Sequence, residues 1–200
     1  MNMYVRNHLG ALLVVAAFAW TQSVPAQDFQ AGREAVSRGD FATALAQWQP
    51  LAEAGDATAQ YNLGMLHARG EGVPQDYEIA AKWFKRAAEQ GQRDAQATIG
   101  GMYARGLGIE QDYEQAAEWL LLAAKQHHAP SQFEMGILHA KGQGVLRDDS
   151  AAYFWIELAA RQNYQPAIEA KQAMRKFMPP VQIELVEKRV DDWLQSNTGQ

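Results

Sequence analysis

The sequence contains no cysteine, which excludes a disulfide frame, a thiolate metal site and a cysteine nucleophile. Packing alone must hold the fold. It also lacks any block of like charge: 18 lysines and arginines are interspersed with 23 acids, for a net charge of −5. That pattern offers no basic stripe for nucleic acid or anionic lipid. The apolar run Leu9 to Trp20, LGALLVVAAFAW, is twelve residues long, short of the roughly 20 a spanning helix needs. HExxH, SxxK and GxSxG motifs are absent too, so the known nucleophile and zinc-protease signatures give no lead.

What is present begins with an export signal. Arg6 precedes the apolar run, and TQSVPA places Val24 and Ala26 where a signal peptidase reads its substrate. The expected signal is residues 1–26, of Sec type, since there is no cysteine to carry a lipid and no twin arginine. Losing Arg6 leaves 17 basic residues against 23 acids, a net −6. The mature chain is expected in the periplasm, full secretion remaining open, with no stable membrane insertion after cleavage.

The stretch ARGEGVPQD, Ala68 to Asp76, looks like a phosphate loop until it returns as ARGLGIEQD from Ala104 and AKGQGVLRD from Ala140. Gly70, Gly106 and Gly142 are spaced by 36, as are Gly72, Gly108 and Gly144. Asp40, Asp76, Asp112 and Asp148 keep the same step, as do Gly64, Gly100 and Gly136, Trp83, Trp119 and Trp155, and Gln60, Gln96 and Gln132. A fixed period of this length signals stacked units. A dinucleotide loop would need a third glycine after a strand, where Gln75, Gln111 and Arg147 stand here.

Each unit reads as two helices. AQYNLGMLHA puts Ala59, Leu63 and Leu66 on one face at helical spacing. Gly70 ends that helix in the left-handed conformation, and Gly72 turns the chain again. Asp76 then caps a second helix, whose stripe is Ala80, Trp83, Phe84, Ala87 and Ala88. Gly91 closes it, with His127 and Asn163 at the matching positions, residues that tolerate φ > 0 better than most. Glycine inside a helix costs up to about 1 kcal/mol. Gly64, Gly100 and Gly136 therefore imply a helix passing too close for a side chain. The tryptophans are expected to fill core space between successive units.

The divisions are residues 27–55 for a half-degenerate unit, then 56–91, 92–127 and 128–163. Residues 164–195 form degenerate capping helices, and residues 196–200 a loose tail. Asp40 to Gly55 is a second helix and Phe29 to Arg38 its partner. Ala167 to Phe177 is a further first helix, stopped by Pro179 and Pro180. Ile183, Val186, Val190, Trp193 and Leu194 share one side of the last helix, suited to covering the end of the core.

AQYNLGMLHARGEGVPQDYEIAAKWFKRAAEQG closely resembles the Sel-one-like repeat, a relative of the tetratricopeptide repeat, and the array resembles exported bacterial members of that family. The resemblance implies an all-α, right-handed solenoid that acts without cofactor as an adaptor, binding protein through its concave face. Exported relatives are tied to envelope signalling, exopolysaccharide assembly and host contact. Two features depart from the pattern: Asp149 and Ser150 replace the Tyr-Glu of the earlier units, and the cysteines of the disulfide-stapled branch are missing.

Comparing the units with one another suggests where a partner sits. Thr58, Asn62, Met65 and Arg69 share a first-helix face with Asp94, Thr98, Gly101 and Arg105 and with Pro130, Glu134, Ile137 and Lys141. The first three columns drift while their neighbours stay fixed, and His67, Tyr103 and His139 are expected to flank them. Drift fits either a partner groove or lightly constrained surface, and the basic column also complements helix C-termini. His67 and His139 lie two units, roughly 20 Å, apart on helices about 10 Å thick, too far to share a metal. His127 and His128 read as turn residues. No metal or catalytic set is expected. A glycan-binding or exopolysaccharide-assembly groove is the alternative to a protein or peptide partner of the cell envelope, with a hydrolase the more remote reading. Exposed rings at Tyr61 and Tyr103 would favour sugar, and buried rings protein.

Overall fold

The computed structural model describes residues 29–197. The expected signal and its cleavage point lie outside them, as do residues 198–200. Among the described residues there are ten helices and no strand: α1 (Phe29–Ser37), α2 (Phe41–Glu53), α3 (Ala57–Arg69), α4 (Tyr77–Glu89), α5 (Arg93–Arg105), α6 (Tyr113–Lys125), α7 (Ala129–Lys141), α8 (Asp149–Arg161), α9 (Gln165–Met174) and α10 (Pro180–Asn197). Each helix from α1 to α8 packs on the next, and α10 returns to α8. The result is an all-α solenoid.

Caps set the helix limits. Asp40, Asp76, Asp112 and Asp148 each accept a backbone N–H in the first turn of α2, α4, α6 and α8. Gly70, Gly106 and Gly142 end α3, α5 and α7 in the left-handed region, at φ 69°, 67° and 66°. Their N–H groups reach back to Leu66, Met102 and Leu138. His127 and Asn163 take φ 60° and 61° where Gly91 takes 86°, so the closing turn keeps its left-handed residue after the glycine is gone.

The mid-helix glycines answer to close packing. A Cβ on Gly64 would stand 2.6 Å from the Phe84 ring, one on Gly100 2.8 Å from Leu120, and one on Gly136 2.5 Å from Ile156. The second loop glycine does more than turn the chain: a Cβ on Gly108 would lie 2.2 Å from the Tyr77 carbonyl, and one on Gly144 1.9 Å from the Tyr113 carbonyl oxygen. Each unit's loop therefore rests on the start of the previous unit's second helix.

A buried glutamine fastens each joint. Gln60, Gln96 and Gln132 donate to the carbonyls of Ala52, Ala88 and Ala124 in the preceding unit, at 3.0, 3.2 and 3.0 Å. Their own oxygens accept from Gln90, Gln126 and Gln162 at 2.8, 2.8 and 2.7 Å. Both ends of each buried amide are satisfied, which removes most of the cost of burying it.

The tryptophan expectation needs correction. Of the three repeat tryptophans only Trp155 is buried; Trp83 and Trp119 are half-buried at the seam. Trp83 packs on the α1–α3 core around Trp48 and Leu63, and Trp119 on the core around Phe84 and Ile99. They do join successive units, but from the edge. Trp155 is covered because only its unit is followed by the cap.

That cap replaces a fourth repeat. Ile183, Val186 and Val190 of α10 bury against Tyr153, Phe154, Trp155 and Leu158, with Trp193 and Leu194 partly buried beside them. Polar contacts run along both helices. Gln182 donates to Ser150 Oγ, the Tyr153 hydroxyl donates to Glu187 at 2.9 Å, and Arg161 donates to Asp191. The departure at Ser150 is thus explained: Gln182 bonds it near the helix start, where a next unit's loop would otherwise rest. Burial and the bond to Glu187 push the Tyr153 hydroxyl up to about 12. The side chain of Glu157 is buried between Arg161 Nε at 2.9 Å and Lys171 Nζ at 2.7 Å. Two boundaries differ from expectation. Helix α9 stops at Met174, leaving Phe177 exposed, and α10 runs through Ser196 to Asn197, whose side chain bonds the Trp193 carbonyl.

Candidate functional site

Two adjoining clefts open on the first-helix side of the array, sharing Tyr61 and Asp94. One, about 470 Å³, lies over α5 and α7 and takes Asp94, Thr98, Gly101, Pro130 and Glu134 from the drifting columns and Arg105 from the basic one. The other, about 430 Å³, lies over α1 and α3 and takes Thr58 and Asn62 with Phe29, Arg33 and Trp48. The spacing of four, three and four that puts these columns on one helical face also puts them in one trough.

Of the predicted groove residues, Asn62, Thr98, Gly101 and Glu134 line the clefts. Met65 and Ile137 are half-buried and line neither, Met65 packing on the core around Phe84 and Ile99. His67, Tyr103 and His139 do not flank the groove. Each lies nine residues after the first column, two and a half turns at 3.6 residues per turn, which is the opposite side of the helix. Tyr103 is only 8% exposed. His67 Nδ1 is buried without a hydrogen-bond partner, and burial holds its pKa below the usual histidine range against the charge of Asp76. His139 Nδ1 sits 3.3 Å from the Leu146 carbonyl, in a separate cleft with Glu114, Glu118 and Trp155.

His128 was missed as a cleft residue, although its alignment with Asp56 and Gln92 was a signal. All three cap first helices: Asp56 accepts from Ala59 N–H, Gln92 from Ala95, and His128 Nδ1 from Ser131. The ring is also 2.8 Å from Ser131 Oγ. Burial, then the charge of Arg93, lower the His128 pKa, with Asp94 opposing. A serine hydroxyl on a histidine nitrogen has the form of a nucleophile and its base. Here Ser131 is 1% exposed and both groups serve the α7 cap, so the pair is placed for structure. Among the described residues no cluster of three or more histidine or acidic side chains could hold a metal. No helix there is long and apolar enough to cross a membrane.

The aromatic rings near the clefts are engaged. Tyr61 is half-buried with its ring tilted 5.5 Å from Phe84, and Phe133 meets Tyr164 edge-on at 5.7 Å.

Comparison with known proteins places the fold. Residues 57–92, 93–128 and 129–164 match the Sel1 repeat. A Sel1 repeat protein from Oxalobacter formigenes is similar in structure, with 30% identity and a TM-score of 0.68, over 72% of this chain and 59% of that one. A protective antigen of uropathogenic Escherichia coli with an SLR fold is 26% identical at a TM-score of 0.70, over 82% of this chain and 40% of its own. The chain therefore spans less than two thirds of either. Helicobacter pylori cysteine-rich protein B shares the fold at 16% identity and a TM-score of 0.52, over 66% of this chain and 96% of that one. No curated protein matches significantly. Three consecutive matches cover more than half of the residues, and the chain belongs to the Sel1 repeat family, whose members generally mediate protein–protein interactions.

Proposed function

We propose that the protein is a non-catalytic adaptor of the bacterial cell envelope, exported by residues 1–26, that holds a segment of a partner protein along its first-helix face. The observation that carries this reading is coincidence: seven of the nine residues in the columns that vary from unit to unit, Thr58, Asn62, Asp94, Thr98, Gly101, Pro130 and Glu134, line the two joined clefts. Positions fixed by the fold, such as Gly100 against Leu120, face inward. A stable frame thus presents a variable surface.

The glycan alternative is less well supported. Sugar binding uses open aromatic faces, whereas Tyr103 is buried and Tyr61 is engaged with Phe84. A mixed polar trough without a free ring suits a polypeptide better.

In-cell crosslinking of the tagged protein, with mass spectrometry of what it captures, tests the proposal. Replacing Asn62, Thr98 and Glu134 together by alanine should remove the captured envelope protein while the circular dichroism melt stays unchanged. Capture at wild-type levels by the triple variant would sink the groove assignment. N-terminal sequencing of the exported form should begin at Gln27, and a retained Met1 would overturn the export step.

A further inference from the structure

One glycine in the cleft has no role in the fold. Gly100 gives way to Leu120, yet the neighbouring Gly101 faces no helix: the three atoms nearest its absent Cβ all belong to the Arg105 guanidinium, Nη2 first at 2.7 Å. The matching positions in the other units carry Met65 and Ile137. A second glycine inside α5 weakens the helix with no packing in return. What it provides is a seat on which Arg105 lies in the cleft.

Arg105 has no carboxylate within ion-pair distance among the described residues. Glu134 lines the same cleft from α7, and it too has no ionic or hydrogen-bonded partner. The other acid of the cleft, Asp94, is already paired with Arg93 at 3.0 Å. One cleft thus holds a free cation and a free anion that do not neutralise each other.

We infer that this cleft reads a dipolar segment of a partner protein, an acidic side chain against Arg105 and a basic one against Glu134. The inference rests on the groove reading above and specifies its ligand. A guanidinium takes a carboxylate in two parallel hydrogen bonds, so seating Arg105 with its Nη2 edge at Gly101 favours an acid at one fixed place. Arg105 and Glu134 stand on first helices of successive units, each helix about 10–12 Å across with its side chains, and an extended chain advances about 3.3–3.6 Å per residue. The acid and the base should therefore stand about three residues apart. The trough runs on past Tyr61 into the second cleft, which suits an internal stretch of chain rather than a chain end.

The test is selection from a random twelve-residue library displayed with both ends joined to a carrier, run on the purified protein and on the double variant Arg105→Glu, Glu134→Lys. Wild type should enrich an acid and a base about three residues apart in one order, and the double variant the opposite order. Arg105→Glu alone should weaken the selected peptides at least tenfold. Gly101→Ala should weaken them several-fold while raising the urea midpoint, a combination that a purely structural glycine would not show. Identical ligands from both proteins, or ligands without a charge pair, would overturn the dipolar reading. If such unpatterned ligands still depend on Asn62 and Thr98, the groove itself stands. No ligand from either protein counts against both readings.

Discussion

The joints within the array and the joint to the cap solve the same problem by different means. Between units, a neutral buried glutamine bonds backward and forward, and a loop glycine rests on the previous helix start. At the cap, that task passes to Tyr153, Glu157 and Arg161 of α8, which meet Lys171 of α9 and the acids of α10 through charge and a phenol. A joint that must recur depends on backbone carbonyls, which every helix offers. A joint used once is free to depend on particular side chains.

The largest predicted effect removes the difference altogether. Deleting residues 180–200 uncovers Tyr153, Phe154, Trp155 and Leu158, and the protein should lose cooperative unfolding and aggregate, as arrays without a terminal cap do. A sharp, fully reversible urea transition in the truncated chain would show that α10 is dispensable.

Within a repeated joint, Gly108→Ala should cost roughly 3 kcal/mol or more, because a positive φ is combined with a backbone clash. Gly91→Ala, also at positive φ but facing open space, should cost about 1 kcal/mol. Equal losses would mean that the loop does not bear on Tyr77.

Glu157→Ala and Gln96→Ala compare the two joints directly. Loss of Glu157 strips a counter-charge from Lys171 and Arg161 and should cost about 2–4 kcal/mol, the lower part of that range if water reaches the two cations. Loss of Gln96 removes two hydrogen bonds, although the Ala88 carbonyl keeps the Gly91 N–H and Gln126 keeps the Gly91 carbonyl, for about 1–3 kcal/mol. The urea midpoint of the first variant should also depend on salt, and that of the second should not.

The smallest effect is a pH dependence confined to the array. His128 is depressed in the fold, so its contribution is complete above the unfolded value near 6.5 and is lost as pH falls through the lower folded value. Protonation also removes the Nδ1 acceptor from the α7 cap. Wild type should lose up to about 1 kcal/mol more than His128→Asn between pH 7.5 and pH 5.5, the size of one cap. His67 shifts in the same direction and is common to both proteins. Equal pH profiles would remove His128 from the cap.

The sequence made the local devices legible because each is short and repeated. Asp76, Gly70, Gly100 and even the unusual His127 could be placed by alignment and steric rules alone. Properties that depend on neighbours were harder. Trp83 and Trp155 occupy the same register, yet only one is followed by α10, so identical residues differ in burial. His67 and its counterparts were misplaced by reading proximity along the chain as proximity around the helix. The charges of the cleft were visible, but that Arg105 and Glu134 leave each other unpaired depends on the spacing of two helices.

The loop glycine resting on the previous unit also decides where this molecule can grow. A duplicated 36-residue block inserted ahead of α7 would find a matching neighbour on each side and lengthen the trough by one step. The same block inserted after α8 would bring its glycine to Asp149 and Ser150, ground already shaped for Gln182. New specificity can enter such an array upstream, while its last unit is committed to the cap.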